Sequence, residues 1–126
     1  PTGGAWNYDA DNRHPLPKGG IPIPALPEPE RDDITREVIG LVAERFADHP
    51  GDPDEFWLPV TAPGAREWLA SFVADRLELF GRYEDAMNAD EPFLFHAVIS
   101  PFLNVGLLRV EEVLQAAIAR RDKVPI

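Results

Sequence analysis

A mainly α-helical fold, with about four helices behind an extended arm, is what this chain of 126 residues predicts. Three observations point there. Beyond residue 33 apolar residues recur at helical spacing in several stretches, and no period-two alternation is sustained for more than a few residues. Seven of the 14 prolines fall in residues 1–30.

The arm comes first. Pro22, Pro24, Pro27 and Pro29 favour a polyproline-like path without internal hydrogen bonds, so residues 1–30 read as a linker or covering loop and residues 31–126 as the helical part. A pure spacer has no use for Trp6, Tyr8 and Arg13, so the opening stretch is expected to pack against something. A disordered tail is the alternative on composition alone.

Ile34, Val38, Leu41, Val42 and Phe46 mark a first helix, with Asp32 or Asp33 as its cap and His49-Pro50-Gly51 stopping it. Phe56 to Val60 reads as an extended, partly buried connector leading to Thr61, whose hydroxyl can cap a second helix ahead of Pro63. That helix places Ala65, Trp68, Leu69, Phe72, Val73, Arg76, Leu77 and Phe80 on one side and is expected to end at Gly81. The segment from Phe93 to Leu108 is too apolar to be exposed; Ser100-Pro101 marks a short third helix to about Val105, closed by Gly106. The last helix is expected to turn Val110, Val113, Leu114, Ala117 and Ile118 inward and Glu111, Glu112, Arg120 and Arg121 outward.

Composition narrows the chemistry. A formal net charge of -10 repels phosphates and disfavours non-specific nucleic-acid binding by this chain. Without cysteine there is no disulfide, thiolate metal site or iron-sulfur cluster held by this chain alone. No run of about 20 apolar residues is present to span a bilayer, and a soluble, intracellular protein is expected. The Pro1 start and Pro125-Ile126 end read as cuts in something longer.

His14, His49 and His96 fall on different elements, which disfavours a zinc site, and no serine sits in a nucleophile-elbow setting. The glycines form no dinucleotide fingerprint. What remains is the junction at Ser100, where a helix start offers unpaired N–H groups, a positive dipole end and a hydroxyl close to His96, a combination suited to phosphate. The plainer alternative is that Ser100 only caps its helix and His96 is a hydrogen-bonded core residue.

Three motifs in order sharpen this: Gly4-Ala5-Trp6-Asn7-Tyr8-Asp9 with Asn12-Arg13; Phe80-Gly81-Arg82-Tyr83-Glu84-Asp85-Ala86-Met87; and Leu94-Phe95-His96-Ala97-Val98-Ile99-Ser100-Pro101-Phe102-Leu103-Asn104-Val105-Gly106-Leu107-Leu108. They resemble the bacterial iron-sulfur photolyase and cryptochrome family, also called deoxyribodipyrimidine photolyase-related proteins, and Phe56-Trp57-Leu58-Pro59-Val60-Thr61 supports the likeness.

The resemblance implies an α/β antenna domain, an interdomain loop and a helical domain that binds FAD, with a [4Fe-4S] cluster on four cysteines. This chain is similar to the loop and the first helices of the flavin domain, so the cluster ligands and a ribityllumazine-type antenna belong to a parent protein. Ser100 is the first candidate for the flavin pyrophosphate, in the turn with His96 and Ile99; Tyr83 can add a phenolic hydrogen bond, and Asn104 either faces the cofactor or braces the turn. Arg13 has three readings: DNA, the antenna chromophore or a neighbouring carboxylate. Two departures stand out: Ala97 where the family commonly has serine, and Arg109-Val110 in place of a capping residue and proline, a cap weaker by about 1 kcal/mol.

The implied function is light-driven DNA repair of the (6-4) photoproduct type, in the bacterial cytoplasm, with lesion-bearing DNA as the parent's partner. The 126 residues alone are expected neither to hold FAD tightly nor to catalyse nor to bind nucleic acid. The rivals are a cryptochrome-type photoreceptor and a helical interaction module that self-associates through an exposed apolar face of Phe93, Phe95 and Phe102.

Overall fold

The computed structural model describes Gly4, Trp6 and residues 9–124. Among these residues there are five α-helices and no strand: α1 Asp33–Arg45, α2 Ala62–Asp75, α3 Leu77–Phe80, α4 Ser100–Asn104 and α5 Val110–Ile118. The mainly α-helical expectation holds, with one helix more than expected.

The additional helix arises at Arg76, whose backbone (φ -123°, ψ -29°) interrupts what the periodicity shows as one helix. The chain resumes as α3 and tightens into a 3-10 turn, Gly81–Tyr83. Gly81 stops nothing, because it sits in the ordinary right-handed region at φ -58°. A left-handed glycine would be needed to end the helix there.

The N-caps of α1 and α2 follow the sequence. The Asp32 carboxylate accepts from the Thr35 amide at 2.7 Å, and the Thr61 hydroxyl accepts from the Gly64 amide at 3.2 Å. Each satisfies one amide that a helix start leaves without a partner. The end of α4 is a Schellman closure: the Leu107 amide donates to the Phe102 carbonyl at 2.8 Å, and the Gly106 amide to that of Leu103 at 3.2 Å. Gly106 stands at φ +77°, the left-handed position this motif requires.

Two apolar clusters form the interior. The larger joins Ala65, Trp68, Leu69 and Phe72 of α2 to Phe102 and Leu108. The smaller joins Tyr83 to Leu94 and Phe95, and the arm lies on it through Leu16, Ile21 and Ile23 while Leu26 reaches the larger one. The arm is thus a covering loop. Amides and carbonyls fasten it as well: His14 donates to the Arg82 carbonyl at 3.3 Å and Asp85 to that of Asn12 at 3.2 Å.

Several expectations are corrected. Trp6 does not pack; it is 93% exposed. The packing expected of Tyr8 falls outside the described residues. Phe95 and Phe102 cannot form an exposed apolar face, since each is only 1% exposed inside a cluster. The uncovered apolar surface lies elsewhere: Ile34 (71% exposed), Val38, Leu41 and Phe46 along α1, and Val110, Leu114 and Ile118 along α5. On α5 Val113 and Ala116 pack on the core, and Glu112, expected outward, is half-buried. Its carboxylate accepts from the Arg109 amide at 2.9 Å and from the Arg66 guanidinium at 2.8 Å. Glu112 thereby supplies the reach-back half of a capping box, and the start of α5 is stronger than Arg109 by itself implies.

Candidate functional site

The segment that leads into α4 is held under strain. Leu94 and Val98 both have positive φ, +42° and +52°. A β-branched residue there is a genuine outlier, and each such residue costs about 1 to 3 kcal/mol. The surroundings impose the shape. Leu94 and Phe95 are buried in the smaller cluster, while Ala97, Val98 and Ile99 pack against the larger. Between them the Trp68 indole N–H donates to the Ala97 carbonyl at 3.0 Å. Strain of this kind concentrates where a particular backbone path is required.

Ser100 is exposed and opens α4, but it does not cap it. Ile99 occupies the cap position in a right-handed conformation, and no side chain caps the helix. This also reduces the donor set expected at the helix start. The amides of Phe102 and Leu103 both donate to the Ile99 carbonyl, at 3.0 and 3.2 Å, and Pro101 has no N–H. The first turn therefore offers the Ser100 amide and hydroxyl, not a fan of amides.

Asn104 follows Ser100 by four residues, and both are exposed, so their side chains share one face of α4. That face carries an amide, a hydroxyl and a carboxamide, all neutral donors. The His96 ring stands edge-on to Phe80 at 6.3 Å between centroids, and Phe80 is itself edge-on to Phe72 of α2 at 5.7 Å. His96 is thus a half-buried, ring-packed residue beside the turn.

The structure does not bring all the candidates together. Tyr83 is buried and stacked on Phe95, at 5.4 Å and 27°, in the cluster that receives the arm, whereas Ile99 packs against the other. Arg13 lies between two carboxylates, bonded to Asp9 and 3.3 Å from Asp85. Its guanidinium is held charged, through the Asp9 hydrogen bond first and then the attraction of Asp9 and Asp85. Of its three readings, the neighbouring carboxylate is the contact present here.

Sequence reasoning placed Arg76 on the buried side of its helix and went no further. It is 2% exposed, its guanidinium donates to the Pro24 carbonyl, and its Nε has no acceptor. Burial lowers its pKa, with Asp75 opposing. A charged residue within an otherwise apolar helical stripe was the available signal. The strain at Leu94 and Val98 had none, because neither residue type favours positive φ.

A family model for deoxyribodipyrimidine photo-lyase-related protein matches residues 1–58. A (6-4) photolyase of Agrobacterium fabrum (strain C58 / ATCC 33970) is 40% identical over 117 residues, 93% of this chain and 23% of that protein. An uncharacterized protein of Acanthamoeba polyphaga mimivirus is 51% identical over 41 residues, 32% of either chain. The chain therefore spans under a quarter of the photolyase it matches.

Proposed function

We propose that this chain, similar to photolyase-related proteins, forms part of a light-driven DNA-repair flavoprotein of the (6-4) type. The observation that carries the reading is the 40% identity to a (6-4) photolyase, sustained over 93% of the chain. In that parent, residues 1–30 connect two domains, residues 31–126 begin the flavin-binding domain, and DNA bearing UV lesions is the substrate.

Within this reading the exposed face of α4 meets the flavin pyrophosphate. The Ser100 amide and hydroxyl donate to phosphate oxygens, and the Asn104 carboxamide adds a donor one turn on. Ile99 sets the angle of that turn because its carbonyl accepts from the amides of Phe102 and Leu103. His96, fixed against Phe80, flanks it, and Tyr83 supports it from behind through Phe95. When bound, FAD supplies the light-driven electron; the residues here bind and orient it. Neutral donors hold phosphate less strongly than charge-assisted ones, and the net charge of -10 adds no general attraction. The 126 residues by themselves are thus weak flavin binders.

The test is to illuminate the full-length parent with blue light on DNA carrying defined (6-4) lesions, beside dark and lesion-free controls. Loss of lesions only in the light supports the assignment. Unchanged lesion counts overturn it.

A further inference from the structure

A second site lies apart from α4, where the arm crosses the end of α2. There a cleft of about 460 Å³ is lined by Arg76, Trp57, Phe93, Glu28, Glu91 and Pro24, among others. That volume lies within the range of small-molecule sites. Trp57 and Phe93 meet at 4.9 Å between ring centroids with their planes tilted by 55°, an aromatic corner on one side of the cleft. Two features of its lining bear on what it could hold.

The first is Arg76. A buried guanidinium usually faces a carboxylate, because an uncompensated buried charge is costly. Among the described residues Arg76 makes no ion pair; it has the Pro24 carbonyl, while its Nε lacks any acceptor. Burial accordingly lowers its pKa. The second is the pair Glu28 and Glu91, which line the same cleft without pairing with Arg76. They repel a strongly anionic ligand and offer acceptors to N–H groups. A phosphate-bearing strand is disfavoured for the same reason.

An occupant suited to this lining is planar and neutral, with an acceptor at one edge and N–H donors at another. We infer that the cleft binds a free heterocycle of the cyclic amide or imide type, its ring carbonyl accepting from Arg76 and its ring N–H groups donating to Glu28 or Glu91. The corner of Trp57 and Phe93 supplies apolar contact for the ring.

Hypoxanthine is a suitable probe, and indole the control: it is planar with an N–H but has no carbonyl. Both are titrated into the full 126-residue chain and followed by heteronuclear NMR. Hypoxanthine is expected to give saturable shifts at residues 23–28, 57, 76 and 91–94, with indole weaker by about ten-fold or more. The Arg76→Lys variant, which keeps the charge but loses the planar fork, weakens hypoxanthine by a similar factor. Should that variant fail to fold, Trp57→Leu decides, since Trp57 is partly exposed and its loss removes one side of the aromatic corner. No saturable shifts, equal binding of indole, or unchanged affinity in Trp57→Leu overturns the assignment.

Discussion

The indole Nε1–H of Trp68 donates to the Ala97 carbonyl at 3.0 Å, fastening the middle of α2 to the strained turn ahead of Ser100. One bond thus couples the core helix to the candidate site. Trp68→Phe leaves that carbonyl without its donor and opens space in the core. The expected cost is about 2 to 4 kcal/mol, with amide shifts concentrated at residues 93–99. Urea midpoints and NMR spectra check both parts; a cost without local shifts would separate the bond from the turn's shape.

Phe72 is buried in the larger cluster and stands edge-on to Phe80. Phe72→Ala is expected to cost about 3 to 5 kcal/mol, a large share of the stability of a domain this size. Thermal unfolding by circular dichroism measures it. A loss under about 1 kcal/mol would show that this cluster does not hold the chain together.

Acid should reach the start of α5 in a defined window. The Arg66 guanidinium first, and the Arg109 amide next, hold the Glu112 carboxyl at about 2 against an ordinary 4.5. A depressed folded-state pKa contributes stability that is fully present above 4.5 and is lost as pH falls towards 2. Glu112→Gln removes that dependence. The gap between the melting temperatures of the two proteins is expected to narrow from pH 5 to pH 2, about the span over which the carboxyl titrates; a constant gap argues against the ion pair.

Ser100 and Asn104 share the exposed face proposed for phosphate. In the full-length parent, Ser100→Ala and Asn104→Ala are each expected to weaken flavin retention about two- to ten-fold, with the double variant weaker still. Because both side chains are exposed, the melting temperature of the 126-residue chain stays the same. Equilibrium dialysis against FAD gives the first quantity and calorimetry the second; a fall in melting temperature with unchanged retention would make these residues structural.

Much of the fold was legible in the sequence. Asp32, Thr61 and Gly106 announced two helix starts and one helix stop, because capping is a local matter of one side chain and a few amides. The apolar stripes of α1 and α5 were legible too, but their exposure was not: periodicity shows that a face is apolar, not what covers it. At the site, Ser100 was legible as a helix start. Its displacement from the cap was not, because it depends on the right-handed backbone of Ile99, which distant packing imposes. The Arg76 and Pro24 contact joins residues 52 positions apart and leaves no local pattern.

That contact orders events in time. The arm is synthesised before everything it rests on: Asn12 and His14 wait for Arg82 and Asp85, Pro24 for Arg76, and Leu16, Ile21 and Ile23 for Leu94 and Phe95. Contacts this distant in sequence form slowly, after loop closure has been met by local helices. Of the residues in these contacts, those of the arm are made first and fastened last, and until then its prolines keep it extended and out of the way.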